Sequence, residues 1–254
     1  MAKMKIDKNG RKITVGVFQF LPFPSVSRYL AQMGWDWVLL DVQHGLFTSE
    51  SIYECIHTIQ TAGSRALVRV PIGDWTAIQK ALDAGAQGVV VPMINTRKDA
   101  ELAVQAAKYP PLGGRSIGGD PWYHYGDDYP KQANQRTLLL VQIEHVAAVK
   151  AARQILSVKG VDGCFVGPSD LALSLGLGHV NFESNSRHQS SIQKVVQISR
   201  ALGKASYIHC ATVAEVKKRA GQGFDSINVS GDIDIFIKAA KGLLADVRKE
   251  LKRS

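Results

Sequence analysis

A chain of 254 residues with 45% hydrophobic and 21% charged side chains can bury a large core, which excludes a low-complexity or extended chain. Its net charge of +9 does not describe one basic face: residues 1–12 carry a surplus of four positive charges and residues 243–254 a surplus of two. There is no stripe of Lys and Arg interleaved with aromatics and no run of the ~18 apolar residues a membrane span needs, so neither a nucleic acid nor a membrane is expected as a partner.

After the basic segment 1–12, residues 13–19 (ITVGVFQ) read as a first strand. One pattern then recurs: a helical stretch, a glycine, a short gap and an apolar strand. Gly34 precedes DWVLLD. Ile52, Ile56 and Ile59 share a helix face before Gly63 and RALVRV, and Trp75, Ile78 and Leu82 share another before Gly85 and GVVVPM. A long connection, 109–136, is rich in Pro, Gly, Tyr and Asp and leads to TLLLVQIE; connections of that length are usually functional or disordered. Within it, Gly113–Gly119 resembles a phosphate loop but lacks the G-K-[ST] ending, so it reads as a flexible active-site loop. The pattern returns with Gly160 before VDGCFV, Gly203 before KASYI and Gly221 before FDSINV, and a C-terminal helix spans about 232–252. A glycine just past a helix supplies the left-handed residue that ends it without a Cβ clash.

Near-continuous apolar strands are buried on both faces, as in a parallel sheet sheathed by helices. Eight strand–helix units in a single domain over 1–254 predict α/β architecture, a closed (β/α)8 TIM barrel. The open doubly wound alternative lacks a G-x-G-x-x-G after its first strand. Cys55, Cys164 and Cys210 are far apart and form no C-x-x-C pair, so they read as buried reduced thiols. The basic N-terminus has no apolar run after it and so is no secretory signal; a cytoplasmic location is expected.

In a TIM barrel the chemistry sits where strands end. The second strand ends in Asp41-Val42-Gln43-His44, the third in Arg69, the fifth in Gln142-Ile143-Glu144, and the sixth runs into Gly167-Pro168-Ser169-Asp170. Glu144 and Asp170 end neighbouring strands, where two carboxylates repel unless a cation lies between them or one stays protonated. Hard oxygen donors in small number suit Mg²⁺ or Mn²⁺. The plainer reading is that both acids cap local turns. Arg69 closes an apolar strand, where a guanidinium needs an anion: either a substrate carboxylate or a structural partner, Glu144 or Asp41. His44 is a candidate for proton transfer, against a purely hydrogen-bonded role. Asp83, late in the third helix, can orient His44 from a neighbouring element or subunit, or be a solvated helix residue. The turn opening at Gly167 can aim backbone N–H groups at an anion.

These residues fall within blocks that resemble the HpcH/HpaI family of metal-dependent pyruvate aldolases, from about Gly16 to the last helix. The blocks, in order, are GWDWVLLDVQHG, ALVRVP, LDAGAQGVVVPM, AAKYPPLGGRSIGG, LLVQIE and VDGCFVGPSDLALSLG. The resemblance implies a barrel of the phosphoenolpyruvate/pyruvate-domain type with a divalent cation (Mg²⁺, Mn²⁺ or Co²⁺) held by Glu144 and Asp170, with Gln142 beside it. It implies that Arg69 binds the pyruvate part, that the Gly167, Pro168 and Ser169 backbone receives the carboxylate, and that His44 paired with Asp83 moves protons. The implied reaction is reversible cleavage of a 4-hydroxy-2-oxo acid to pyruvate and an aldehyde, in a homo-oligomer: a hexamer built as a trimer of dimers, or a trimer. One departure stands out. The family often carries Glu where this chain has Gln43, between Asp41 and His44, which removes a negative charge near the cation. Two other readings compete: a lyase on the same scaffold acting on acyl-CoA esters or oxaloacetate, and a noncatalytic metabolite-binding barrel.

Overall fold

Eight parallel strands pair in chain order, and the last closes on the first. The structure is a computed structural model that describes residues 13–178 and 182–252; the basic segment 1–12 lies outside the described residues. The staves are β1 (Thr14–Gln19), β2 (Trp37–Asp41), β3 (Arg65–Arg69), β4 (Gly88–Val91), β5 (Leu138–Ile143), β6 (Gly163–Val166), β7 (Ala205–Cys210) and β8 (Ser226–Gly231). Between the first four run α1 (Pro24–Gln32), α2 (Ser49–Thr61) and α3 (Trp75–Asp83). The β4–β5 connection holds α4 (Arg97–Ala107), α5 (Asp120–Tyr125) and α6 (Tyr129–Arg136). Then come α7 (Val146–Leu156), α8 (Pro168–Ser174), α9 (Ser186–Ala201), α10 (Val213–Gln222) and α11 (Asp232–Leu251).

The glycine pattern is what closes the helices. Gly34, Gly63, Gly85, Gly160 and Gly203 all take positive φ, as the helix-ending role requires. The expectation at Gly221 is corrected: it lies inside α10, and Gly223, two residues on, is the left-handed cap at φ 94°. The 109–136 connection is also corrected, because two short helices order its second half.

Alternation along each stave sorts two cores. Outward side chains such as Val38, Val68, Val89 and Ile208 pack under the helices. Inward ones, Phe18, Trp37, Leu39, Leu67, Val90, Leu140, Phe165 and Tyr207, fill the barrel. Gly16 is required there: a Cβ on it falls 2.1 Å from the Trp37 indole, which crosses the lumen and donates from Nε1 to Ser226 Oγ at 2.8 Å. No helix of the described residues is long and apolar enough to cross a membrane.

Candidate active site

The inward side chains turn polar at the carboxyl end of the barrel. Two residues beyond Leu39 is Asp41, beyond Leu67 Arg69, beyond Leu140 Gln142, and beyond Tyr207 His209, the same parity carried one step up each stave. Above Phe18 and Phe165, Arg69, Gln142 and His209 enclose a pocket of about 200 Å³ that also receives His44, the Gly167–Asp170 turn, Ser230 and Asp234, with Asp41 buried behind Arg69. That volume is below the roughly 300–1,000 Å³ of sites for drug-sized ligands and suits a small polar metabolite.

Arg69 is held by Asp41 through two parallel bonds, Nε to Oδ1 at 3.0 Å and Nη2 to Oδ2 at 2.6 Å. Asp41 is fully buried, and its Oδ1 also accepts the Gln43 and His44 amides at 3.1 and 3.3 Å. The anion that Arg69 needs is therefore supplied within the protein. Pairing with Asp41 uses Nε and Nη2 and leaves Nη1 without a hydrogen bond among the described residues; the guanidinium lies over the Phe18 ring, whose centroid is 5.1 Å from Cζ.

Glu144 is 3% exposed. Its Oε1 accepts the Met93 amide at 2.8 Å, and its Oε2 accepts the Gln142 amide. Burial pushes the Glu144 carboxyl up to about 7; the Asp170 charge adds to the rise, and the Met93 amide, Gln142 and Arg69 oppose it. Gly167 makes this packing possible, since a Cβ there falls 2.7 Å from Glu144 Oε2. Asp170, in the first turn of α8, is exposed on the pocket side. Gln142 Oε1 and Gln43 Oε1 are buried with no hydrogen-bond partner among the described residues. A buried carboxylate with no salt bridge among the described residues, a second carboxylate close enough to repel it and an orphaned amide oxygen alongside make a donor set that fits a hard divalent cation. Among the described residues no third His, Cys, Asp or Glu joins them.

Two expectations are narrowed. Within one chain Asp83 bonds Arg115 Nη2 at 2.7 Å and lines a separate groove between α2 and α3, so of its two expected routes to His44 only the one from a neighbouring subunit stays open. Arg115 is 2% exposed and Gly119 packs against the Asp83 backbone, so the 113–119 loop is anchored at α3 and does not line the pocket. Within the Gly167–Ser169 turn, the Gly167 N–H already bonds Ile143 O at 3.3 Å and Pro168 has none, which leaves the Ser169 amide as the donor.

His209 was not singled out from the sequence, although its parity with Tyr207 marks it. Its ring stacks on Phe18 at 5.3 Å, and Nδ1 bonds Asn228 Oδ1. The Asn228 amide nitrogen lies toward Gly16 O and Ser230 O, at 3.4 and 3.5 Å, so its oxygen faces the ring and His209 donates from Nδ1. Burial holds the imidazole below its ordinary pKa, so the ring is neutral with a bare Nε2. The Met93 amide was likewise missed, because backbone donors carry no residue signature. Among the described residues, the two non-glycines with positive φ are Met93 (55°) and Ser230 (62°), and both flank the site.

The sequence profile of the HpcH/HpaI aldolase/citrate lyase family matches residues 15–239. A hydroxypyruvate/pyruvate aldolase of Rhizorhabdus wittichii is 34% identical over 94% of this chain and 95% of its own length. A 2-keto-3-deoxy-L-rhamnonate aldolase of Salmonella gallinarum is 33% identical over 87% of this chain and 85% of its own. Among solved structures, an HpcH/HpaI aldolase/citrate lyase family protein from Burkholderia cenocepacia superposes with a TM-score of 0.87 at 30% identity, over 95% of this chain and 96% of that one.

Proposed function

We propose, proceeding from the fact that this chain belongs to the HpcH/HpaI aldolase/citrate lyase family, that it cleaves a 4-hydroxy-2-oxo acid to pyruvate and an aldehyde and catalyses the reverse aldol addition. The chain is a carbon–carbon lyase, and its named relatives are pyruvate, hydroxypyruvate and keto-deoxy-sugar aldolases. The observation that supports the finer reading is that Arg69, Gln142 and Asp170 line one small pocket, with the buried Glu144 carboxylate bonded to Gln142 directly behind it and within electrostatic reach of Asp170 and Arg69.

Glu144 and Asp170, with Gln142 beside them, would hold a divalent cation, Mg²⁺, Mn²⁺ or Co²⁺; when bound it supplies Lewis-acid stabilisation of charge developing on the substrate. The Ser169 amide meets the substrate carboxylate. Nη1 of Arg69, preorganised by Asp41, stands by the 2-oxo oxygen and opposes the negative charge that grows there as C3–C4 breaks. His44, exposed at the pocket mouth, takes the 4-hydroxyl proton directly or through water. The aldehyde leaves, and pyruvate enolate picks up a proton at C3. His209 Nε2, Ser230 and Asp234 give the opposite wall polar character, which supports a hydroxylated or otherwise polar aldehyde. The three buried free thiols support a reducing compartment such as the cytoplasm.

The test is an aldehyde panel with pyruvate, with and without Mg²⁺, Mn²⁺ and Co²⁺, run beside oxaloacetate and CoA thioesters. Metal-dependent consumption of pyruvate is the expected result. Turnover of a thioester or oxaloacetate alone would select the related lyase. Absence even of pyruvate proton exchange in deuterated buffer would leave a noncatalytic barrel.

A homo-oligomer is part of this reading. α11 packs mainly on β1 and β8 and exposes Phe236 (70%), Leu243 (68%) and Val247 (47%). The adjoining groove, about 1120 Å³, is lined by Val213, Ile235 and Leu243 and shares His209, Ser230 and Asp234 with the pocket. A second copy of this chain is the occupant that covers both, and doing so would complete the pocket rim. Sedimentation should show an oligomer, a trimer or a hexamer of three dimers, that Phe236→Asp with Leu243→Asp dissociates; a wild-type monomer at micromolar concentration would refute it.

A further inference from the structure

The turn that carries Ser169 and Asp170 is tied down from behind by a histidine with no contact to the pocket. His188, on α9, is 0% exposed, and its Nε2 lies 2.9 Å from the Pro168 carbonyl oxygen. That ring can hold its proton on either nitrogen, and its neighbours decide which. Arg219, also 0% exposed, can only donate; its Nη1 lies 3.0 Å from Gln189 Oε1, and its Nη2 contacts both Glu183 oxygens at 2.7 and 2.6 Å. The Gln189 amide is thereby oriented with its nitrogen toward Glu183 Oε2 and His188 Nδ1, each at 3.2 Å. An amide nitrogen only donates, so Nδ1 must be bare. A neutral ring with bare Nδ1 carries its proton on Nε2, facing a carbonyl that only accepts. Burial keeps the ring's pKa below its ordinary value, in agreement with the neutral form. Each assignment forces the next, from Glu183 to Pro168.

Pro168 has no N–H, so its carbonyl is the main-chain group by which that residue can be anchored. Gly167 before it touches Glu144, and Asp170 two residues on faces the pocket. We propose that His188 is a positioning residue: its Nε2–H tie to Pro168, with the tautomer imposed through Gln189 by Arg219 and Glu183, holds the Ser169 amide and the Asp170 carboxylate in register with Glu144. The proposal rests on the reading of Glu144 and Asp170 as the cation-holding pair. Groups that orient ligand-bearing segments are worth roughly 10–100-fold in metal affinity.

Nitrogen-15 NMR of the wild-type imidazoles should show His188 as the Nε2–H tautomer; the Nδ1–H form would overturn the proposal. Mn²⁺ titration, read by the paramagnetic resonance of free Mn²⁺, and aldol kinetics then compare wild type, Glu144→Ala, His188→Leu and His188→Gln. His188→Leu should weaken Mn²⁺ binding at least ~10-fold and raise the pyruvate KM, with a smaller change in kcat. His188→Gln, which keeps a donor near the Nε2 position, should recover most of both. Unaltered Mn²⁺ binding in Glu144→Ala overturns the cation site and this inference with it. Loss in Glu144→Ala with none in folded His188→Leu overturns the inference alone. Where His188→Leu does not fold, Gln189→Leu leaves the ring in place, still selected as Nε2–H by the Pro168 carbonyl, but removes the donor that holds Nδ1; it should weaken Mn²⁺ binding, and unaltered Mn²⁺ binding in that folded variant overturns the relay.

Discussion

Asp41 grips Arg69 by the same two-pronged contact that a substrate carboxylate would use, so the guanidinium enters the pocket already oriented and already neutralised. The structural pairing and the substrate-facing role are not alternatives at this residue. One edge of the fork is anchored and the other is presented.

Arg69→Ala should therefore fail in two separable ways. Stability should drop by about 3–5 kcal/mol, because Asp41 is left buried without its partner. Turnover should fall at least ~10²-fold through loss of an electrostatic donor. Arg69→Lys keeps the charge but not the fork and should fall between. Denaturant unfolding and steady-state kinetics read the two effects; a change confined to the aldehyde KM would contradict the role at the 2-oxo oxygen.

Glu144→Ala and Asp170→Ala should abolish metal-dependent aldol turnover with the far-ultraviolet circular dichroism unchanged. Glu144 directly follows β5 and Asp170 lies in the first turn of α8, so neither carboxylate belongs to the apolar layers that fill the barrel. Full activity of either variant in chelator-treated protein would remove the assignment.

The metal-free protein should become less stable as pH rises from about 5 to 8. Glu144 takes its proton at about 7 in the folded chain against an ordinary 4.5. Below the lower value both states are protonated and nothing is lost. Between the two, the folded state binds more protons than the unfolded, so stability falls with pH, reaching a penalty of about 3 kcal/mol above the higher value. In Glu144→Gln this slope should be absent, and in wild type Mn²⁺ should offset it. Parallel Tm–pH curves for wild type and Glu144→Gln would show that the buried carboxyl is not the source.

Gly167→Ala is a test of packing at the site. At φ −99° an alanine fits the backbone, but its Cβ would meet Glu144 Oε2 at 2.7 Å and Glu144 Cβ at 2.9 Å. Displacing that carboxylate by a fraction of an ångström should cost on the order of 10²-fold in kcat/KM with little loss of fold. Wild-type kinetics in this variant would mean that Glu144 is not poised as described.

How much of this was legible beforehand follows from the kind of signal each feature leaves. Gly34, Gly63 and Gly85 mark helix ends because a left-handed residue has a strong compositional preference; Gly221 misled because Gly223 stands two residues away and only geometry selects between them. Asp41, Arg69, Gln142, Glu144 and Asp170 were readable as polar groups that terminate apolar strands. His209 obeys the same alternation but sits at a stave with no other polar landmark. Asp83 and the 113–119 loop read in the sequence as candidate active-site parts, yet the Asp83–Arg115 pairing turns on how a 28-residue connection folds back on α3, a long-range contact with no local periodicity.

By itself the sequence determined the (β/α)8 barrel and the rim on which the acids, the arginine and the histidine lie, because apolar strand runs and glycine helix ends are local signals that recur along the chain. Tertiary packing alone decided that Asp41 restrains Arg69, that a main-chain amide at Met93 faces Glu144, and that Gly167 leaves room for that carboxylate. These depend on which atoms of distant staves approach within a few ångströms, and residue order carries no such distance.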